Sequence, residues 1–143
     1  MTFMSAKTFV DTNILVYAHD VDAKDKCMVA RRILHELWSS RSGTLSPQVL
    51  QEFYVTVTRK VAKPLSKRVA REIVDDFSVW CIATTAPEIA AAFRIEDVAK
   101  IGFLDALICA SALKAGAQRI LSEELNAGQK IAGIRIENPF LDF

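Results

Sequence analysis

Short apolar runs alternate with amphipathic helical patterns along this chain. Residues 8–11 have the pattern of a first β-strand, and apolar side chains at helical spacing predict a helix from residue 24 to about residue 40. Ser46 followed by Pro47 is a typical helix start, because serine can cap free amide groups and proline fits the first helical position. The alternation predicts an α/β domain with a central, mostly parallel sheet of about five strands.

The second half of the chain continues the same alternation. It predicts a helix opened by Ser66, a buried strand at residues 79–82, a helix opened by Pro87, a helix over residues 104–112 ended by Gly116 in the left-handed conformation, and strands at residues 119–121 and 133–136. No internal repeat, low-complexity tract or linker interrupts the pattern. We therefore expect one domain over residues 1–143.

Composition narrows the class of protein. The chain has 143 residues, of which 51% are hydrophobic and 24% charged, enough to fill one core. Charges break every long apolar stretch, and the N-terminus lacks the apolar region of a signal peptide, so we expect neither a membrane segment nor secretion. Three separated cysteines offer no disulfide framework and no zinc-binding pair. These features predict a cytoplasmic protein.

Four carboxylates lie where a globular domain would favour apolar or well-solvated side chains. They are Asp11 at the end of the first strand, Glu52 inside a helical pattern, Asp105 within the apolar run 103–108, and Glu124 shortly after a later strand. An ionised carboxylate beside a core needs a cation, a hydrogen-bond donor or a shifted pKa. Since ligands of open α/β sheets bind at the carboxyl ends of the strands, we expect the four to share one crevice.

Each of these acids also has a structural interpretation. Asp11 could serve only as a helix N-cap, and Asp105 could serve only to complement the dipole of its helix. Glu52 could reach solvent from the border of its apolar stripe, and Glu124, like Glu123, would suit an exposed turn. A shared metal ion is the alternative that explains all four together.

A stretch of the chain without acidic residues carries several cations. They are Arg59, Lys60, Lys63, Lys67, Arg68 and Arg71. Such a cluster could bind RNA phosphates, although a solvated helix face would have the same composition. The net charge of +1 gives no further indication of a nucleic-acid partner.

The order of the motifs resembles the PIN-domain ribonucleases, and most closely the bacterial VapC-type toxins. The resemblance covers about residues 7–141 and rests on Asp11-Thr12-Asn13 after a short strand, Gln51-Glu52-Phe53 in a helix, and the segments 103–108 and 121–126. It implies a PIN-like α/β/α sandwich and a metal-dependent endoribonuclease, the toxin of a toxin–antitoxin pair. It also implies a homodimer and an inhibitory antitoxin.

The resemblance further implies roles for particular residues. Asp11, Glu52 and Asp105 would form the main acidic site, with Thr12, Asn13 and Ser122 as polar supports. Glu124 departs from the family, which often has aspartate there, and this leaves open whether Glu124, Glu123 or water completes the site.

The chemistry of the acids favours particular ions. Carboxylate oxygens without histidine suit Mg²⁺ or Mn²⁺ in oxygen coordination rather than zinc, so His19 and His35 are expected to lie outside the site. One or two such ions would activate water for attack on phosphorus. We expect RNA cleavage that leaves a 5′-phosphate and does not use the 2′-hydroxyl as nucleophile.

Other classes of protein share parts of this pattern. A haloacid-dehalogenase-like phosphatase also has an aspartate after its first strand, but needs a second aspartate where this chain has Asn13. A receiver domain needs paired acids near the first strand and a later lysine, and neither is evident. A catalytically silent PIN-like scaffold that binds RNA or protein stays open, and Mn²⁺ binding distinguishes it.

Overall fold

A computed structural model describes residues 6–141 of the chain. Its strands are β1 (Lys7–Val10), β2 (Gly43–Thr44), β3 (Ala117–Leu121), β4 (Lys130–Ile131) and β5 (Ile134–Glu137). Its α-helices are α1 (Thr12–Ala18), α2 (Asp25–Ser40), α3 (Pro47–Arg59), α4 (Lys67–Phe77), α5 (Ala86–Ala99) and α6 (Phe103–Lys114). Short 3-10 turns cover Val21–Ala23 and Ser78–Trp80.

The strands form one sheet in the order β2-β1-β3-β5-β4. β1 pairs in parallel with β2 and β3, β3 pairs in parallel with β5, and only β4 is antiparallel to its neighbour. Helices α1 and α2 lie between β1 and β2, and α3 to α6 lie between β2 and β3, as the alternation of elements predicted. By contrast, the parallel strands β3 and β5 are joined through β4, with no helix in the described residues between them. The predicted α/β class with a mostly parallel sheet of about five strands is confirmed.

The core is built from the apolar residues that set the predicted pattern. Phe9 on β1, Ile14 on α1 and Phe53 on α3 are fully buried and belong to one large hydrophobic cluster. A smaller cluster joins α5 to α6 through Ala92, Ala106 and Ala110. Alanines at this contact let the two helix backbones approach closely, which fits the many contacts between α5 and α6.

Most predicted element starts and ends are confirmed. Helix α2 covers residues 25–40, α3 begins at Pro47, and Ser66 Oγ accepts a hydrogen bond from the Val69 amide at 3.2 Å to cap α4. Gly116 follows α6 with a φ of +74°, the left-handed conformation expected there. The start at Ser46 is right in position, but Ser46 Oγ is buried and bonds to no described residue.

The predicted strand at residues 79–82 is wrong. Residues Ser78–Trp80 form a 3-10 turn, and Cys81 makes only an isolated bridge to Leu45. Phe77 and Trp80 are three residues apart, and both rings enter an aromatic cluster, with 5.0 Å between their centroids. Helical spacing of these two rings therefore overrides the strand pattern.

The sheet brings the chain segments with candidate residues together. The Asp11 amide donates to the Leu121 carbonyl at 3.0 Å, and the Ser122 amide donates to the Glu137 carbonyl at 3.0 Å. Asp11 and Ser122 thus follow neighbouring strands at the same, carboxyl edge. In the described part of the chain no helix has the length and apolarity to cross a membrane.

Candidate active site

Asp11 lies directly after β1 and is buried. Its Oδ1 accepts from the Thr12 amide at 2.7 Å, and its Oδ2 accepts from Ser122 Oγ at 2.8 Å and from Asn13 Nδ2 at 3.5 Å. Burial raises the pKa of Asp11 to about 6; the bonds from Ser122 and Thr12 lower it in part, and the charges of Glu124 and Glu52 raise it further. Asp11 caps α1 and also faces two other acids, so its capping role does not exclude a second one.

Glu52 projects from α3 toward the start of α1. Its Oε2 accepts from Thr12 Oγ1 at 2.8 Å, and its Oε1 accepts from Gln48 Nε2 at 3.0 Å. Both carboxylate oxygens are therefore held by side-chain donors. Glu52 does not simply extend into solvent, as its structural interpretation would require.

Asp105 lies in the first turn of α6 and is half-buried. Burial raises its pKa, and the charge of Glu52 raises it further. Cys109, one turn later, is fully buried, and its pKa rises to about 12 through burial and through the charges of Asp105 and Asp11. The thiol therefore stays protonated between two of the acids.

Glu123 and Glu124 have different environments. Glu123 accepts from Tyr17 Oη and from Lys26 Nζ, each at 2.5 Å. Partial burial raises its pKa, but the bonds from Lys26 and Tyr17 outweigh burial and lower it overall. Glu124 is an exposed residue overall, but its carboxyl group is partly shielded from water. This partial burial raises its pKa, and the charges of Asp105, Glu52 and Glu123 raise it further.

Asp11, Glu52, Asp105 and Glu124, the four-acid set, carry uncompensated negative charge. Lysine and arginine pair with several other acids, but within residues 6–141 no such ion pair includes a member of this set. In the same residues no three His, Cys, Asp or Glu side chains already stand in a metal-binding arrangement. The set offers the carboxylate oxygens that hard divalent ions bind, but these oxygens do not already form a complete ligand shell.

The donor set fits a divalent ion in its chemistry. Asp105 makes no side-chain hydrogen bond to another described residue, and Glu124 is exposed, so an ion would not have to displace a described donor from Asp105. Mutual repulsion already raises three pKa values in the set. A cation among the acids would relieve this repulsion.

A cleft of about 580 Å³ opens beside the set. Its walls include Thr12, Asn13, Tyr17, Glu52, Lys60 and Glu124. Asp11, which is buried, and Asp105 do not line it directly. We call this space the acidic cleft. Two acids and one lysine on its wall make it a place where a phosphate and a cation can lie side by side.

The six cations predicted as candidates for binding RNA phosphates are all exposed, but they do not share one environment. Lys60 lines the acidic cleft. Lys63 lies 3.7 Å from an oxygen of Asp22, and Arg68 pairs with Glu72 at 3.0 Å. Arg71 lies over the Tyr54 ring at 6.0 Å, whereas Arg59 ends α3 and Lys67 begins α4. Only Lys60 of these six contributes to the cleft wall.

The sequence interpretation missed three residues that organise the site. Gln48 bonds to Glu52, while Tyr17 and Lys26 hold Glu123. Gln48 lies four residues before Glu52 on α3, a helical spacing that places the two side chains together and was readable in the sequence. Tyr17 and Glu123 are 106 residues apart, so no local pattern pointed to that bond.

Comparison with known proteins gives one family and several similar structures. The family model for the PIN domain matches residues 8–127. No curated protein sequence matches the chain. The similar structures include a toxin–antitoxin complex from Klebsiella pneumoniae, which is 18% identical with a TM-score of 0.67 over 95% of this chain and 98% of the other.

Two further structures have similar folds. VapBC2 from Rickettsia felis, bound to a DNA fragment from its promoter, is 22% identical with a TM-score of 0.63, covering 92% of this chain and 97% of the other. VapC20 from Mycobacterium tuberculosis, a toxin that cleaves the sarcin–ricin loop, is 20% identical with a TM-score of 0.61, covering 90% and 99%. At these identities the likeness shows a shared fold.

Proposed function

The chain belongs to the PIN domain family, and we propose that it is a metal-dependent endoribonuclease that hydrolyses phosphodiester bonds of RNA. The observation that carries the proposal is the four-acid set. Four carboxylates from remote parts of the sequence interact through their charges at the carboxyl edge of the sheet, and no described cation neutralises them. A purely structural role would leave this repulsion unexplained.

The proposal assigns each acid a part in holding Mg²⁺ or Mn²⁺. Asp11 and Asp105 would be direct ligands, Glu52 a ligand directly or through water, and Glu124 a contact to a second ion or to a bound water. When bound, such an ion lowers the pKa of a coordinated water and offsets charge on the phosphate. The ion pair of Glu123 with Lys26 supports Glu124, rather than Glu123, as the fourth acid.

The supporting residues orient the acids. Ser122 and the Thr12 amide hold Asp11, while Asn13 Oδ1 accepts from the Glu123 amide at 3.0 Å and so ties the Ser122–Glu124 turn to α1. Fixed carboxylates need little rearrangement when the charge of the reaction develops. Thr12, Asn13 and Ser122 are therefore proposed as positioning residues.

RNA would enter the acidic cleft with its backbone near Lys60. The acids repel a phosphodiester, and Lys60 supplies a positive charge on the same wall. Arg59, Lys63, Lys67, Arg68 and Arg71 are exposed but do not line the cleft, and would contact the backbone farther from it. Replacing Lys60 should raise KM for RNA more than replacing any of these five.

Attack of water on phosphorus, with cleavage of the bond to the 3′-oxygen, would leave a 5′-phosphate on one product and a 3′-hydroxyl on the other. His19 Nδ1 lies 2.8 Å from the Leu15 carbonyl and its ring packs against Phe53. Neither His19 nor His35 lines the acidic cleft, which supports a route that does not use histidine to activate a 2′-hydroxyl. Cyclic 2′,3′-phosphate products would contradict the proposed route.

The proposal extends to the partners of the protein. Solved structures of the same fold include toxin–antitoxin complexes and an RNA-cleaving toxin, which supports a role as a cytoplasmic VapC-type toxin with an inhibitory antitoxin. A homodimer is supported by α5, which exposes Ile89 and Phe93, four residues apart on one face, although α5 also packs on α6. Adjoining exposed apolar side chains mark interaction surfaces, and we propose that a second copy covers this one.

The test is cleavage of defined single-stranded RNAs by purified protein with Mg²⁺ or Mn²⁺, with analysis of product ends. We expect metal-dependent cleavage with 5′-phosphate ends, lowered at least 100-fold by Asp105→Asn. Cleavage that persists fully in EDTA would contradict metal dependence. No cleavage and no Mn²⁺ binding would favour a silent PIN-like scaffold.

A further inference from the structure

Gln48 links two of the helices that carry the four-acid set. Its Nε2 donates to Glu52 Oε1 at 3.0 Å and to the Leu104 carbonyl at 3.1 Å. Leu104 immediately precedes Asp105 in the first turn of α6. One amide group therefore joins the carboxylate of Glu52 on α3 to the backbone that presents Asp105.

The two acceptors fix the orientation of the Gln48 amide. If the amide were flipped, its oxygen would face both the Glu52 carboxylate and the Leu104 carbonyl. Three acceptor oxygens would then repel one another with no hydrogen between them. In the observed orientation Gln48 Oε1 is buried and has no hydrogen-bond partner among residues 6–141. The orientation that bonds to Glu52 and Leu104 is therefore adopted although it pairs only one end of the amide with described residues.

Gln48 completes a pair of donors around Glu52. Thr12 Oγ1, from α1, binds one carboxylate oxygen, and Gln48 Nε2, from the preceding turn of α3, binds the other. A glutamate has three flexible side-chain torsions, and these two bonds select one arrangement. Donors that orient a carboxylate in this way tune its binding of a metal ion.

We infer that Gln48 is a positioning residue that holds Glu52 against the start of α6 in the orientation needed for the metal site. This inference rests on the proposed function. Gln48 does not touch the substrate or the ion; it acts through Glu52 and through the position of α6.

The experiment measures Mn²⁺ binding by calorimetry and RNA cleavage for wild type and Gln48→Met, a variant of similar length that lacks the amide. We expect the Kd for Mn²⁺ to rise about tenfold. The metal concentration that gives half-maximal cleavage should rise in parallel, while the melting temperature in EDTA stays close to that of wild type. Gln118→Met, on the exposed surface of β3, is the control and should change neither quantity.

A double-mutant cycle with Glu52→Gln separates positioning from a general structural effect. If Gln48 acts through Glu52, Gln48→Met adds little to the loss of Mn²⁺ affinity already caused by Glu52→Gln. Equal Mn²⁺ affinity for wild type and Gln48→Met, or fully additive losses, would overturn the inference. A wild-type protein that neither binds Mn²⁺ nor cleaves RNA would remove the proposed function, and with it this inference.

Discussion

Asp11 is 4% exposed and accepts three hydrogen bonds, yet burial and two neighbouring acids still raise its pKa to about 6. The folded chain therefore binds a proton at Asp11 more tightly than the unfolded chain, in which the pKa is near 3.8. Without metal, the stabilisation from this proton is complete below the unfolded pKa and is lost as pH rises through the folded pKa.

This linkage predicts how Asp11→Asn changes stability with pH. We compare the unfolding free energy of wild type with that of Asp11→Asn in EDTA. The difference, wild type minus variant, should increase by about 1 kcal/mol as pH falls from 7.5 to 5. The measurement is urea denaturation of both proteins at each pH. A difference between the two proteins that does not vary with pH would show that Asp11 does not titrate in this range.

The comparison between the two proteins also corrects for His19. Burial lowers the pKa of His19 below its usual 6.5, so its contribution to stability falls as pH drops through the same range. The sign is opposite to that of Asp11. Since both proteins contain His19, its contribution cancels in the difference.

At the residue scale the sequence pointed to the acids more readily than to their supports. An acid inside an apolar run, as at Asp105, is visible because it breaks a local pattern. The bonds of Tyr17 and Lys26 to Glu123 depend on how α1, α2 and the turn after β3 meet. Such contacts follow from tertiary packing and leave no local signal.

At the scale of elements, β2 is short and closely covered. Its two residues pair with Thr8 and Phe9 of β1, and Gly43 lies against the Trp80 ring. A Cβ on Gly43 would stand 2.7 Å from Cε2, Cζ2 and Cη2 of Trp80. Glycine is therefore required here by the close approach of an aromatic ring.

Gly43→Ala should destabilise the protein by about 1–3 kcal/mol, because the added methyl group overpacks this contact. Thermal and urea denaturation measure the change. Trp80→Phe, which shortens the ring system, should relieve the clash, so the double variant should lose less stability than the sum of the two single variants. Strict additivity would mean that Gly43 is needed for another reason.

The same region explains why one element was predicted wrongly. Residues 79–82 are apolar enough for a strand. However, the edge strand β2, next to which they lie, has only two residues available for pairing, and the rings of Phe77 and Trp80 pack together at helical spacing. Helices with local start signals, such as α3 after Ser46-Pro47 and α4 after Ser66, were predictable from the sequence. Two-residue strands such as β2 and β4 are set by their neighbours in the sheet.

At the scale of the whole molecule, α5 and α6 present an apolar surface to solvent. Phe93 on α5 and Leu104 on α6 are each more than half exposed. The Phe93 ring lies 5.4 Å from that of Phe103, next to the helix turn that carries Asp105. A dimer formed through this surface would bring the second copy close to Asp105 of the four-acid set.

Phe93→Asp should convert the proposed dimer to monomer, because a charge on this surface would be buried without a partner. Light scattering should show half the wild-type mass. Val79→Asp is the matched control, since Val79 is 73% exposed but lies in the 3-10 turn after α4. A wild-type monomer, or dissociation caused by Val79→Asp instead, would contradict an interface through α5 and α6.

The central claim is that acids from separate parts of the chain hold one hard cation. The most direct test is anomalous diffraction from crystals grown with Mn²⁺. We predict an anomalous peak within bonding distance of carboxylate oxygens of Asp11 and Asp105, with Glu52 bound directly or through water. Crystals at saturating Mn²⁺ with no peak at these residues, or with Asp11 and Asp105 facing different ions far apart, would contradict the claim.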